Sequence, residues 1–357
     1  MIVSRTPYRI SFFGGGTDYP TWVSQHGGAV LATTIDKYCY LTCRCLPPFF
    51  DHRYRVAYSQ IETCQTVDQI THPAARAVIR YLQCDHGLEI HHDGDLPARS
   101  GVGSSSAFTV GLLHALHALA GRTPSKLQLF SESSHIEQDV LKETVGFQDQ
   151  ALAAYGGLNH LVFHQDGKLS IRGLTLSSER INELHAHLML FYTGIVRTAS
   201  DVARSYVGDI LAKERELTRM GDFVTEGLSV LEGGGDIGDL GGLLHEAWCV
   251  KRSLSGAVSN SELDEIYNRA QGAGALGGKV IGAGGGGFML LFVPPEHQND
   301  VRKRLDGLLQ VPFRFESKGS EIIFRAPDED YSATDSSRKK HVTVSPGECA
   351  TNKAVEQ

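Results

Sequence analysis

Apolar and polar residues alternate through Ile2–Phe13 and again through Ala29–Leu46. A period of two of this kind predicts strands with one face in a core, joined here by a glycine-rich connection. Between Thr71 and His86 the apolar positions Ala74, Ala77, Val78, Tyr81 and Leu82 recur at helical spacing, and Leu88–His92 then reads as a short strand. The run Ala107–Ala120, just after Gly101 and Gly103, predicts a long helix. Pro124 opens another, with Leu127, Phe130, Ile136, Val140 and Leu141 on its apolar side and Gly146 as its stop. Strands are expected at 158–163, 169–173 and 187–192. A mostly helical stretch over 199–274 leads to glycine-flanked strands at 279–281 and 288–293, a helix near 296–308, and strands near 312–316 and 321–325. Runs of strands and runs of helices in this order predict an α+β fold, not a repeating βαβ sheet.

The 357 residues suggest two domains. The boundary is placed at 175–185, giving an N-terminal domain over 1–178 and a C-terminal domain over 179–327. The polar segment 328–357 is expected to be a disordered tail. With 34 Lys+Arg against 41 Asp+Glu, the net charge of −7 argues against a chain-wide cationic face for nucleic acid or anionic lipid. The apolar run Ala107–Ala120 is broken by His114 and His117 and is too short to span a bilayer. The opening MIVSRTPYRISFF lacks the order of a signal peptide, so a cytoplasmic location is expected. Seven scattered cysteines fit a reducing compartment. Cys39, Cys43 and Cys45 alternate with Leu41 along one strand face, which reads as packed core more readily than as a zinc site.

The 39 glycines, about 11% against a usual ~7%, are clustered. In Leu96–Phe108, LPARSGVGSSSAF, two glycines let the backbone turn its N–H groups inward, three serines supply hydroxyls, and the following helix adds its positive end. Phosphate is the natural guest of such a cradle. The plainer alternative is a Ser/Gly turn that only caps the helix. A serine hydroxyl beside bound phosphates can also ligate Mg²⁺. In Lys279–Leu291, KVIGAGGGGFMLL, the spacing Gly282-x-Gly284-x-x-Gly287 formally matches a dinucleotide fingerprint, yet a strand and not a helix follows it. A tight turn explains it better, with Gly284 and Gly285 admitting a ligand or a neighbouring backbone. Gly278-Lys279 fails as a Walker A end, because Ala273 stands five before the glycine and Val280 follows the lysine. In Arg5–Tyr19, RTPYRISFFGGGTDY, a strand ends in three glycines followed by Thr17 and Asp18, presenting an exposed carboxylate to sugar hydroxyls with an arginine on the strand before it. An Asx turn with a surface ion pair is the alternative.

These three stretches, in this order and at these separations, resemble the three motifs of the GHMP family of small-molecule kinases. The middle motif is the specific one: Pro-x-x-x-Gly-Leu-Gly-Ser-Ser appears as Pro97-x-x-x-Gly101-Val102-Gly103-Ser104-Ser105. The resemblance covers roughly residues 1–327. It implies an N-terminal mixed-sheet and helix domain, a C-terminal α/β sandwich domain, and an active site in the cleft between them, with ATP as donor, Mg²⁺ as cofactor and a small molecule as acceptor. Within the family, RTPYRISFFGGGTDYP, HGGAVLATTIDKYCYL and VGFQDQALAAYGGLNH are most similar to the heptose 7-phosphate kinases, with L-fucose kinases next. Both phosphorylate the anomeric hydroxyl. A sugar or ATP sensor on the same scaffold is the reading from another class.

Position by position, the resemblance implies that Pro97, Ser100, Gly101, Val102, Gly103, Ser104, Ser105 and Ser106 hold the nucleotide phosphates. Arg9 falls on the catalytic arginine of galactokinase-type enzymes and Asp18, after Gly16 and Thr17, on their sugar-binding aspartate. Galactokinases carry Glu-His where this chain has Gly15 and Gly16, which argues against galactose. Glu137 matches the Mg²⁺-binding glutamate, Ser105 the serine that assists it, and Asp149 the catalytic aspartate. From their positions alone, on a helix and in the turn after its glycine stop, either acid reads more readily as a solvated helix charge. An acceptor already carrying a phosphate needs a second basic site, for which Lys37, Arg99 and Arg197 are candidates, each also readable as a surface cation. His26 is a candidate sugar contact or loop-packing residue. Self-association is left open.

Overall fold

A computed structural model describes residues 1–196, 199–327 and 350–352. They form a ten-stranded sheet and a four-stranded sheet with helices around them. The chain adopts the expected α+β architecture, and its buried hydrophobic residues fall into two clusters.

The larger sheet grows from β1 (Ile2–Phe13), which after the short helix α1 (Pro20–His26) pairs antiparallel with the long β2 (Gly28–Cys45). On β2, Cys39, Leu41 and Cys43 are buried on one side, and among the described residues no group of three or more His, Cys, Asp or Glu side chains is placed to hold a metal ion. β3 (Tyr54–Ala57) and β4 (Ile61–Cys64) form a hairpin, α2 (Pro73–Tyr81) follows, and β5 (Leu88–Gly94) inserts between β2 and β3. Helix α3 (Ser104–Leu119) lies on β1 and β2. It approaches closely because Gly111 lacks a side chain: a Cβ there would meet Thr6 Oγ1 at 2.8 Å, and the Ser4 hydroxyl donates to the Gly111 carbonyl at 2.9 Å.

Helix α4 (Lys126–Ser134) is capped by Ser125 and passes into a π-helical turn, His135–Val140. The expected stop at Gly146 is not where this helix ends. Gly146 lies in the loop before α5 (Gln148–Tyr155), pressed against Asp18. β6 (Leu158–Phe163) pairs with β2 and with β7 (Leu169–Gly173). The expected boundary falls at the start of α6 (Ser178–Ala186), a helix that the sequence pattern did not predict.

Then come β8 (Leu188–Tyr192) and the helical run α7 (Ala199–Val207), α8 (Glu214–Gly233), α9 (Gly238–Ser253) and α10 (Ser261–Gln271). The smaller sheet is completed by β9 (Gly277–Val280), β10 (Phe288–Phe292) and, after α11 (Gln298–Arg304), β11 (Leu309–Gln310). The chain then returns to the first sheet. β12 (Phe315–Glu316) pairs with β2 and β13 (Glu321–Arg325) with β1, so the two last strands assigned to the C-terminal domain belong to the N-terminal sheet. Of the expected tail, Ala350–Asn352 forms β14 on β4. Among the described residues no helix is long and apolar enough to cross a membrane.

The entry to α2 carries a pH-sensitive cap. His72 Nδ1 accepts from Ala75 N at 3.2 Å, and its ring lies between the edge of Tyr58 and the face of Phe108. Burial lowers its pKa to about 4 against the weaker opposing pull of Glu62. The unfolded chain therefore binds the proton first, and stability present above pH 6.5 is lost as pH falls toward 4. That loss is about 3 kcal/mol at full protonation. Replacing His72 by Asn keeps a cap acceptor without a titration. In urea melts between pH 4.5 and 6.5 the variant's stability should vary less steeply with pH, by up to about one proton's linkage (~1.4 kcal/mol per pH unit).

Candidate active site

The loop between β5 and α3 is shaped by its backbone. Arg99, Gly101 and Gly103 have φ of 60°, 81° and 77°, the left-handed region, and the Ser100 hydroxyl closes the turn on the Pro97 carbonyl at 2.6 Å. Arg9 N on β1 donates to the Val102 carbonyl at 3.0 Å and pins the loop to the sheet. Gly103 is the last residue before α3, so the first-turn amides of Ser104, Ser105 and Ser106 lack intrahelical acceptors. Gly101, Gly103, Ser104, Ser105 and Ser106 line a cavity of about 280 Å³. The other residues expected to touch the nucleotide are not in its lining. Val102 is fully buried in the core, and Ser100 and Pro97 form the internal bond that sets the turn.

Opposite the loop, Asp149 in the first turn of α5 meets Arg9 in a two-pronged ion pair. Nε to Oδ1 is 2.7 Å and Nη2 to Oδ2 is 2.8 Å, and Nη1 donates to the Gly101 carbonyl. Arg9 is nearly enclosed, while Asp149 keeps about a quarter of its side chain open to the cavity. Such a fork fixes both the charge and the direction of the carboxylate. Asp149, Arg9 and the α3 N-terminus therefore converge, as their motifs imply.

Asp18 departs from expectation. It lines the cavity yet is almost wholly buried, accepting from Gly16 N at 3.0 Å, Gln148 N at 3.2 Å and Gln148 Nε2 at 3.0 Å. The carboxylate expected to be exposed is closed over by the 146–148 segment: a Cβ on Gly146 would sit 2.0 Å from Asp18 Oδ2. Burial raises the pKa of Asp18, with Asp149 adding to it and the Gly16 and Gln148 hydrogen bonds opposing.

Glu137 lies on the π-helical turn, wholly buried behind the loop and outside the cavity lining. Its Oε2 accepts from Ser106 Oγ at 2.8 Å and from Gln150, while Oε1 has no partner. Burial pushes the carboxyl up to about 8. An enclosed acid with one unmatched oxygen beside a serine hydroxyl suits a hard cation, and the serine facing it is Ser106, not Ser105, which is exposed.

The remaining expected substrate contacts separate. Gly16 lines the cavity. Thr17 does not: its hydroxyl lies 2.8 Å from the Gly14 carbonyl and 2.9 Å from that of Ala29, tying the turn to β2. His26 is exposed and stacks on Trp22 over a separate surface hollow of about 800 Å³. Lys37 turns its ammonium to Asp36 at 3.2 Å. Arg99 lines the cavity, and Arg197 lies outside the described residues.

Gly284 and Gly285 pack on the segment after α9, where Gly285 N donates to the Val258 carbonyl at 2.8 Å. The cavity is faced instead by Gly282 and Ala283. A Cβ on Gly282 would meet Gly101 O at 2.7 Å, and one on Gly287 would meet Ser100 O at 2.1 Å.

Residues that the sequence reading did not select complete the walls: Tyr206 on α7, Lys251 on α9, and Glu143 and Gln148 around the α5 entry. Lys251 had a legible signal. It falls at helical spacing with Leu244, Ala247 and Trp248, all buried, so a lysine occupies a core position. The cavity thus takes its walls from β1 and the entries of α3 and α5 on one hand and from α7, α9 and the turn after β9 on the other, as a cleft between two domains does.

The chain carries the GHMP kinases N terminal domain over residues 69–157 and the GHMP kinases C terminal domain over 227–308. It is 30% identical over 315 residues to the D-glycero-alpha-D-manno-heptose 7-phosphate kinase of Campylobacter jejuni, covering 85% of this chain and 93% of that one. It belongs to the GHMP kinase family and is a sugar kinase of that family, using ATP as phosphate donor. The bifunctional fucokinase/GDP-fucose pyrophosphorylase of Arabidopsis thaliana is 25% identical over 84% of this chain, which spans 30% of that protein. The crystal structure of a D-glycero-D-manno-heptose 1-phosphate kinase from Bacteriodes thetaiotaomicron shares the fold, with a TM-score of 0.74 at 23% identity over 92% of this chain and 100% of that one.

The glycine contact between loop and turn is open to a direct test. Gly282→Ala adds a methyl group at φ 77° against the Gly101 backbone. It should destabilise the protein by about 3 kcal/mol and weaken ATP-analogue binding roughly tenfold. Gly242→Ala, on α9 with nothing within 4 Å of its Cβ, should stabilise by up to about 1 kcal/mol and leave binding unchanged. Thermal melts and nucleotide titration read both.

Proposed function

We propose that the protein transfers the γ-phosphoryl group of ATP to the anomeric hydroxyl of D-glycero-D-manno-heptose 7-phosphate, giving the 1,7-bisphosphate. The observation that carries the chemistry is the Arg9–Asp149 fork facing the α3 N-terminus across one small cavity. The acceptor is suggested by the Campylobacter relative, which aligns over most of both chains. Gly15 and Gly16, in place of the galactokinase Glu-His, leave room beside Asp18 for a different sugar.

In this reading the loop amides and the helix dipole hold the donor phosphates. Asp149 accepts the hydroxyl proton or aims the hydroxyl, and Arg9 fixes the carboxylate and faces the developing charge. Asp18, saturated by Gly16 and Gln148, shapes the acceptor wall more than it grips sugar. Mg²⁺, when bound, neutralises triphosphate charge, and Glu137 with Ser106 is the pair suited to hold it. Arg99, which lines the cavity, is the candidate for the acceptor's own phosphate.

Asp149→Asn should bind an ATP analogue within about threefold of the parent and lose turnover by about 10²–10⁴-fold. A near-normal rate refutes the role. ADP release over heptose 7-phosphate, the unphosphorylated heptose and L-fucose, with ³¹P NMR of the product, tests the acceptor. The heptose 7-phosphate should give the highest kcat/KM and an anomeric phosphate. Preference for L-fucose overturns the acceptor, and nucleotide binding without any ADP release overturns the enzyme in favour of a sensor.

A further inference from the structure

Lys251 is 4% exposed and is one of the residues that line the active-site cavity. Among the described residues no carboxylate stands within ion-pair distance of it. Asp149 is engaged by Arg9, and Asp18 by Gly16 and Gln148. The Lys251 ammonium donates only to carbonyls, closely to that of Gly282 and at 3.5 Å to that of Val280. A buried cation with neutral partners alone is costly to hold, and such groups concentrate where a reaction uses their charge.

Its position says which charge. Gly282, whose carbonyl accepts a hydrogen bond from the Lys251 ammonium, lies against the Gly101 carbonyl, and that carbonyl accepts from Arg9, the partner of Asp149. The contacts run Lys251, Gly282, Gly101, Arg9, Asp149 and bring a second cation, from the C-terminal domain, to the level of the Arg9–Asp149 pair. Lys279, by contrast, is outside the lining and donates to the Phe12 carbonyl at 3.0 Å, a tie between β9 and β1.

We infer that Lys251 is a catalytic cation of the phosphoryl transfer, its ammonium meeting the phosphoryl group in flight from the α9 wall of the cavity, as a second cation beside Arg9. In the step, the acceptor oxygen forms its bond to the γ-phosphorus as the bond from that phosphorus to the bridging oxygen breaks. ADP leaves with the electron pair, and the hydroxyl proton passes to Asp149. Lys251 neither gives nor takes a proton. It offsets the charge on the transferring oxygens, where a fixed donor in an enclosed site is most effective. The inference deepens the phosphotransfer reading and is independent of which sugar is the acceptor.

The ammonium is the active form. Burial, with Arg9 adding to it and Asp18 opposing, lowers the lysine to about 7. Arg9 from β1, Asp18 from the following turn and Lys279 from β9 act on it electrostatically, and the other charged or titratable groups that share its cavity wall are Tyr19, Arg99, Glu143, Asp149 and Tyr206.

Lys251→Met, with Lys251→Gln as the alternative should the first not fold, is compared with the parent on the best acceptor of the panel. Expected are a fall in kcat of about 10²–10³-fold, both KM values within threefold, and loss of the alkaline decline in kcat/KM that the parent shows above about pH 7. The same comparison is made without sugar turnover, as affinity for ADP with aluminium fluoride against an ATP analogue. The first should weaken by at least tenfold in the variant and the second by less than threefold. An unchanged kcat, a rise in acceptor KM alone, a persistent alkaline limb, or equal weakening of both nucleotide complexes each overturns the inference. If the parent accepts no sugar of the panel, the acceptor proposal fails while the aluminium fluoride comparison still decides Lys251.

Discussion

The site depends on a contact that contains no side chain. The loop at Ser100–Gly101 and the turn at Gly282–Gly287 come from different domains, and each fills the space that a Cβ on the other would need. Left-handed φ at Gly101, Gly103, Gly282 and Gly287 makes this approach possible, because a residue with a Cβ would be strained there and would also collide. The two walls of the cavity are thereby held in register by backbone, the least deformable material available. Arg9 extends this frame, since its backbone N–H holds Val102 and its guanidinium holds both Gly101 and Asp149.

Around that frame, charge is organised by enclosure. Asp149 keeps an open face, whereas Asp18 is used up on protein donors and Glu137 is sealed behind Ser106 with one oxygen unmatched. Three carboxylates within one site thus have three different environments, and each environment is suited to a different task. The lysine facing them comes from a helix of the other domain, so its contribution depends on the same glycine contact.

Legibility followed the range of the interactions involved. Strands such as Leu158–Phe163 and Leu169–Gly173 fall where the sequence placed them, because period-two patterning is local. The loop before α3 was legible for the same reason: glycines, serines and a helix start are adjacent in the chain. Asp18 reads as exposed from its own glycine turn because what buries it, the 146–148 segment, lies about 130 residues away in sequence. The helical spacing of Lys251 marks a core position, but its significance comes from Gly282 and Arg9, neither of them near it in the chain. α6 escaped notice because its polar residues outnumber its buried ones, Leu184 being its buried residue.

The return of β12 and β13 to the first sheet has a consequence during translation. β1 is followed closely in the chain by β2 and pairs with it early, but its other edge waits for Glu321–Arg325. Ser320, which donates to the Ala153 carbonyl and bonds Thr6, arrives equally late. A nascent chain on the ribosome therefore carries an open strand edge until nearly all of the second domain has emerged. Its guarding against premature association falls to whatever shields that edge in the meantime.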